Sequence, residues 1–232
     1  MLYKDAWQSI GRSPGRFIAL VLLMLLGTFA FVGLKITGPD MRQTGMNYFN
    51  QTHLADMTVT SAYGLNQADQ KTITDQAQVK TVNYGYFTVA TIKGSTNSIR
   101  VFSNSGSLSQ YKVVAGRLAK TDTEIALNNT LKGTYHLGET ITLQDGTGLA
   151  KTKFKVVGFV KSAEFINHND FGQTSVGTGQ LSGFGVTTKR AFSLTEYNLA
   201  RISYRDTAKL NAYTKLMNKR QATLLKDLNQ HR

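Results

Sequence analysis

An uncharged run near the N-terminus constrains this chain more than any other feature. It extends from Phe17 to Leu34, 18 residues without an ionisable side chain, and basic residues lie on both sides of it. A helix of that length spans about 27 Å, close to the roughly 30 Å hydrocarbon thickness of a bilayer. Its centre, residues 20–26, contains only Leu, Val and Met, which insert favourably into lipid. The run therefore predicts one transmembrane helix over residues 17–34.

A cleaved signal peptide is the competing interpretation of this run, because a basic segment precedes it. The apolar core of a signal peptide is usually shorter, at about 7 to 15 residues. No clear small-x-small cleavage site follows Leu34, and the stretch from Ala30 to Gly33 matches one only weakly. We therefore expect a retained membrane anchor.

The charges around the run predict its orientation. Residues 1–16 carry three basic side chains and one acidic side chain, whereas residues 35–75 carry three basic and four acidic ones. Since basic flanks remain in the cytoplasm, we expect a cytoplasmic N-terminus and an extracytoplasmic remainder in a cell membrane. Within residues 1–16, an apolar stripe at helical spacing predicts a cytoplasmic amphipathic segment, with a frayed tail as the alternative. The stripe consists of Tyr3, Ala6, Trp7 and Ile10.

The chain after the run is predicted to form an α+β domain in two parts over residues 35–205. The first part reads as a β-α-β-β unit, from alternating apolar residues and one polar segment without Gly or Pro. Its elements are an extended stretch that ends at Tyr63 and Gly64, a surface helix over residues 66–78, and strands over residues 82–92 and 98–102.

The second part is predicted to be richer in strands, arranged as paired hairpins. Its strands are expected over residues 112–114, 124–127, 140–143, 152–160, 184–188 and 199–204. Gly116 and Gly138 are expected at turns that need a positive φ. Gly158 is expected where a strand side chain would obstruct close packing.

A basic amphipathic helix is predicted over residues 206–232, with Asp206 or Thr207 as its N-cap. Its apolar stripe is narrow, which suits one partner surface rather than full burial. We therefore expect this helix to pack only loosely against the domain. The stripe consists of Leu210, Tyr213, Met217, Leu224 and Leu228.

Four short motifs occur in one order over about 50 residues of the second part. They are Val113-Val114-Ala115-Gly116-Arg117, Asp122-Thr123-Glu124-Ile125-Ala126-Leu127-Asn128, Leu137-Gly138-Glu139-Thr140-Ile141 and Phe154-Lys155-Val156-Val157-Gly158-Phe159-Val160. With the preceding membrane run, this order resembles the FtsX-like or MacB-type ABC transporter permeases over essentially the whole chain.

The resemblance implies an extracytoplasmic core domain that binds a substrate or a partner protein and couples to a cytoplasmic ABC ATPase subunit. Members of that family carry further membrane spans after this domain, and nothing after Leu34 resembles a span. The expectation is therefore the N-terminal portion of a permease, which works with the remaining permease spans.

No catalytic, metal or cofactor site is predicted from the sequence, so we expect a protein that is not an enzyme. The chain has no cysteine and four histidines, none in a zinc-binding spacing, and it lacks a phosphate-binding loop of the Walker type. The best polar cluster, Asn167 to Asp170, is interpreted as a solvated turn, with a cation site at His168 and Asp170 as the alternative. Gly177, Gly179, Gly183 and Gly185 are interpreted as loop residues.

The charge of the chain raises a second interpretation. There are 27 Lys and Arg against 14 Asp and Glu, and residues 189–232 hold ten basic and three acidic side chains. Such a density attracts anionic polymers, although most such runs are the solvated side of a helix. Outside the cell, nucleic acid is not the expected partner. The alternative function is a stand-alone, membrane-anchored surface protein that binds anionic cell-envelope polymers.

Overall fold

The computed structural model describes most of the chain, in two compact units, Met1–Tyr48 and Phe49–Arg232. The described residues are 14–104, 106–144, 146–167, 170–205, 207 and 215–230. Several positions of the sequence predictions lie outside them. These are most of the cytoplasmic segment 1–16, His168, Asn169, Asp206, Leu210, Tyr213, His231 and the side chain of Met217.

Helix α1 (Pro14–Gln51) contains the whole apolar run. It has 38 residues, so its length is about 57 Å, and none of its side chains is buried. By length and composition it is able to cross a membrane. The hydroxyls of Thr28 and Thr37 each donate a hydrogen bond of 2.7 Å to a carbonyl one turn earlier in the helix. These two polar groups are therefore satisfied without water, as a lipid environment requires.

The second unit contains ten strands and two helices among its described residues. In chain order they are β1 (Met57–Leu65), α2 (Gln67–Thr74), β2 (Val79–Gly85), β3 (Phe87–Ile92), β4 (Ser98–Ser103), β5 (Lys112–Gly116), β6 (Glu124–Asn128), β7 (Thr140–Gln144), β8 (Lys153–Lys161), β9 (Leu181–Thr187), β10 (Tyr197–Tyr204) and α3 (Lys215–Gln230). Short 3₁₀ turns span Asn129–Gly133 and Lys189–Ala191. The predicted α+β class, with a long apolar N-terminal helix, a strand-rich body and a C-terminal helix, is confirmed.

Three of the strands form a small antiparallel sheet in the order β1-β10-β2, which we call the small sheet. One face of it packs against helices α2 and α3. Leu224 of α3 is only 1% exposed in this core, so the expectation of a loosely packed C-terminal helix is wrong at this position. The buried residues of the core are Met57, Leu65, Ile73, Val79, Ala200, Ile202, Tyr204 and Leu224.

Helix α2 begins where the sequence predicts and ends four residues earlier. Its N-cap is Asn66, whose side chain accepts a hydrogen bond from Asp69 N at 2.8 Å, while Asp69 Oδ2 accepts one from Asn66 N at 3.1 Å. This reciprocal capping box fixes the helix start. The end is early because Val79, nearly fully buried, already belongs to strand β2.

The other seven strands form a larger sheet in the order β5-β8-β6-β9-β4-β3-β7. Because β7 also pairs with β8, six of these strands close into a barrel and β5 adds to its side. The barrel interior is filled by aliphatic and aromatic side chains. Gly183 and Gly185 lie on β9 rather than in a loop, and a Cβ on Gly185 would lie 2.6 Å from Ile125 Cδ1 inside the barrel. The loop interpretation of these two glycines is therefore wrong.

The predicted β-α-β-β unit is also wrong. The single strand expected over residues 82–92 is two strands, because the chain leaves the small sheet after Gly85 and enters the barrel at Phe87. The paired hairpins are correct only in part. Among the described strands of the second part, β7–β8 are antiparallel neighbours in sequence and space, whereas β6 pairs with β8 in parallel.

The glycines of the four sequence motifs lie where they were predicted to be needed. Gly116 and Gly138 have φ angles of 69° and 88°, which residues other than glycine rarely adopt. A Cβ on Gly158 would overlap the backbone carbonyl of Arg117. Close approach of two backbone segments therefore requires glycine at this position of β8.

Candidate functional site

The candidate site lies where the outer face of the barrel meets the small sheet. Because side chains alternate along a strand, Leu199 and Arg201 of β10 point away from the core that Ala200 and Ile202 share with the helices. Leu199 packs there on the outer side of the barrel, with aromatic residues of the loop that follows β8. The described aromatic residues at this junction are Phe87, Phe102, Tyr111, Phe165, Phe171 and Phe184.

A buried ion pair joins the two sides of the junction. Arg201 is 1% exposed, and its guanidinium donates to both oxygens of Glu164, from Nε at 2.6 Å and from Nη2 at 2.8 Å. Nη2 also lies 3.3 Å from the hydroxyl oxygen of Tyr111, and the guanidinium carbon is 5.3 Å from the ring centroid of Phe102. One edge of this cation is therefore matched by acceptors, and an aromatic ring lies near it.

Burial and these contacts shift the pKa values of Arg201 and Tyr111. Burial acts to lower the pKa of Arg201, but the interactions with Tyr111 and Glu164 outweigh it and raise that pKa. Burial raises the pKa of Tyr111 to about 12, against the opposing effect of Arg201. Arg201 is therefore charged and Tyr111 neutral at any physiological pH.

An open cleft of about 460 Å³ lies beside this ion pair. Three phenylalanine side chains and Leu199 give it apolar walls, two threonines of the edge strand β1 line its rim, and one further arginine reaches into it. Its lining residues are Thr58, Thr60, Phe87, Arg100, Phe102, Glu164, Phe165 and Leu199.

Arg100 is the cation of this cleft. It lies on β4 between Ile99 and Val101, which point into the barrel, so its own side chain points outward. The guanidinium is half-buried, and its Nε atom is buried without a hydrogen-bond partner in the described part of the chain. Its carbon lies 6.0 Å from the ring centroid of Phe87. Burial lowers the pKa of Arg100, although an arginine remains charged in proteins.

The polar residues singled out in the sequence do not assemble into this site. Asp170 accepts a hydrogen bond of 2.9 Å from Gly172 N in a local turn, and the carboxylate of Glu139 lies 3.8 Å from the exposed ring of His136. His53 lies just after α1 with φ of 48°. No group of three or more potential metal ligands occurs among the described residues.

The basic C-terminal region is partly engaged in packing. Besides the buried Arg201, the ammonium group of Lys189 lies 5.0 Å from the ring centroid of Tyr197. The guanidinium carbon of Arg220 lies 4.7 Å from the ring centroid of Tyr204. These three cations stabilise the folded domain through rings and an ion pair, so they are not all available to a polymer.

The first and last strands of the body are tied together. Asp56, just before β1, donates its backbone N–H to Ile202 O at 2.9 Å. Its Oδ2 accepts from Tyr204 N at 2.8 Å and from the hydroxyl of Thr207 at 2.9 Å. The segment that follows α1 and the segment that follows β10 therefore lie next to each other.

A two-sheet α+β body that follows a membrane-length helix is the class of structure found here, and comparison with solved structures names similar proteins. The periplasmic region of MacB from Actinobacillus actinomycetemcomitans is similar at 15% identity and a TM-score of 0.39, over 73% of this chain and 75% of that one. The extracellular domain of the noncanonic ABC-type transporter YknZ from Gram-positive bacteria is similar at 15% identity and a TM-score of 0.38, over 71% and 93%. No protein-family model and no curated protein matches this chain.

The sequence did not indicate Arg100 or Glu164. A usable signal existed for Arg100, which is a charged residue between two apolar residues that point into the core. On a strand, this pattern places the charged side chain on the face that points away from the core. Nothing local marks Glu164, because its partner Arg201 lies 37 residues further along the chain.

Proposed function

We propose that this chain is the N-terminal portion of an ABC transporter permease subunit. In this proposal α1 spans the cell membrane with its N-terminus in the cytoplasm. The strand-rich body lies outside and binds a substrate or a partner protein. Its movement is coupled to a cytoplasmic ATPase subunit through the remaining permease spans.

The tie between the first and last strands of the body is the observation that carries this proposal. A domain whose first and last strands are neighbours can be inserted between two membrane segments without a change in its fold. Strands β1 and β10 are such neighbours, and Asp56 binds both the segment that enters β1 and the segment that leaves β10 toward α3. A body of this kind is suited to report its displacement to membrane helices on both sides of it.

The motifs behind the sequence resemblance support the same proposal, because they meet around strand β8. Arg117 and Glu124 form a two-point ion pair, and Arg117 N donates to Val157 O at 2.9 Å. Gly138 N donates to Val156 O at 2.8 Å. The motif residues therefore interact with one another, so their order in the sequence reflects a single structural unit.

The orientation is tested with single cysteines, since the chain has none of its own. Ser9→Cys and Ser105→Cys variants are treated on intact cells with a maleimide that does not cross membranes. We expect labelling at position 105 and, at position 9, labelling only after permeabilisation. The reverse pattern would contradict the proposed topology, and a mature chain that starts near Lys35 would contradict the anchor.

The coupling to an ATPase is tested by purification of the tagged chain from detergent-solubilised membranes, with the neighbouring reading frames expressed alongside. We expect an ABC ATPase and a multi-span permease subunit to co-purify with it. The matched control is a secreted form without residues 1–34, which should retain neither. Recovery of the intact chain without an ABC subunit would favour the stand-alone surface protein instead.

A further inference from the structure

We propose that the cleft between the small sheet and the barrel binds an apolar monocarboxylate, whose carboxylate pairs with Arg100. The ligand class is an organic acid with one negative charge and an aliphatic or aromatic body. This inference rests on the cleft alone and holds independently of the proposed coupling to an ATPase.

A comparison of the ion pairs of Arg100, Arg201 and Arg117 identifies Arg100 as the ligand-binding group. Arg201 and Arg117 are each held by two hydrogen bonds to a glutamate. Arg100 has no ion pair with any described residue, although its side chain is half-buried and its Nε is fully shielded. A half-buried guanidinium without an ion pair is poorly compensated for its lost hydration. A carboxylate in the cleft matches its two terminal nitrogens with two parallel hydrogen bonds.

The walls of the cleft select an apolar body for this anion. The rings of Phe87, Phe102 and Phe165 line it together with Leu199. A volume of about 460 Å³ is within the range of small-molecule sites, which combine apolar walls with a few polar groups.

Glu164 limits the ligand to a single negative charge. It also lines the cleft, and both of its oxygens already accept hydrogen bonds from Arg201. Arg100, Arg201 and Glu164 together give the cleft one net positive charge. A monocarboxylate neutralises this net charge, whereas a doubly charged phosphate would leave an excess negative charge close to Glu164.

Two sources supply this chemistry, a short-chain lipid acid and the C-terminus of an apolar peptide. The full-length protein is placed in neutral phosphatidylcholine nanodiscs, and octanoate and N-acetyl-Leu-Phe acid are titrated in ligand-observed NMR, with empty nanodiscs subtracted. We expect saturable binding of at least one acid and binding of its uncharged amide that is at least about tenfold weaker. The preferred acid identifies the source. Equal binding of acid and amide, or no binding of either acid up to about 10 mM, would overturn the proposal.

The variant Arg100→Gln assigns the binding to this cleft. We expect its affinity for the preferred acid to fall by at least about tenfold, whereas the matched control Arg190→Gln, at an exposed arginine, keeps the affinity of the original chain. Thr60→Trp is a second variant, which fills the cleft from an exposed position on an edge strand and leaves the barrel core untouched. Unchanged affinity in Arg100→Gln or in Thr60→Trp, with an unchanged unfolding midpoint, would place the ligand elsewhere and refute the inference.

Discussion

The barrel and the small sheet reach stability by different routes. The barrel closes on itself through six paired strands, all between residues 87 and 187, and its interior is apolar. Among the described strands, β1 and β2 are the edges of the small sheet, and its central strand β10 comes from more than 100 residues after both. One of its faces is covered by α2 and α3, and the other carries the buried Arg201. The barrel is therefore locally complete, whereas the small sheet depends on distant segments and on one ion pair.

The largest change in stability is expected from Arg201→Met, which removes the cation at the junction between the two sheets. We expect a loss of about 3 kcal/mol in the free energy of unfolding, because Glu164 is left with no cation partner in a largely buried position. Urea unfolding of the full chain in detergent measures the change. The double variant Arg201→Met with Glu164→Gln should recover part of the loss. A loss below about 1 kcal/mol would show that the junction is held by its aromatic residues alone.

A smaller effect is expected from Leu224→Ala in helix α3. Removal of a fully buried leucine side chain costs about 2 to 3 kcal/mol, and here the cost should fall on the small sheet. Hydrogen exchange should become faster in β1, β2 and β10, while the barrel strands keep their protection. The neighbouring Leu225 is 60% exposed, so Leu225→Ala is the matched control and should change little. Equal loss of protection in both sheets would show that they unfold as one unit.

The smallest effect concerns the surface ion pair of the barrel. Hydrogen bonds from Arg117 and from Lys120 N lower the pKa of Glu124 to about 2, well below the usual value near 4.5. A carboxylate with a lowered folded-state pKa stabilises the fold above its unfolded pKa, and that stabilisation is lost as pH falls toward 2. Glu124→Gln should therefore lower the unfolding midpoint by about 1 to 2 °C at pH 7 and flatten its decline between pH 4.5 and 2. Glu196→Gln, at an exposed carboxylate, is the control, and an identical acid profile in both variants would contradict this role.

Features set by neighbouring residues could be predicted from the sequence. The apolar run, the start of α2 at Asn66, and the glycines at positions 116, 138 and 158 each follow from local chemistry. The bounds of most strands were predictable for the same reason. Their partners were not, because pairing is decided by residues that are far apart in the chain.

The break between β2 and β3 shows why the topology was missed. Residues 82–92 have a continuous strand-like composition, and the change of sheet depends on Asn198. Its side chain accepts from Phe87 N and donates to Phe87 O, both at 2.8 Å and from 111 residues away. The cleft has the same origin, since Arg100, Glu164 and Leu199 come from three separate segments. No local pattern contains that information.

The pairing of β1 with β10 has a mechanical consequence. The two strands are antiparallel, so the chain enters β1 at Met57 and leaves β10 at Tyr204 at the same end of the pair, before it continues to α3. A pull on both ends in one direction puts no shear on the ladder between them. A pull that separates the ends loads one hydrogen bond after another, beginning with those of Asp56. The strand pair therefore stays intact when both of its ends are pulled together. It opens stepwise under a force that spreads the two ends apart.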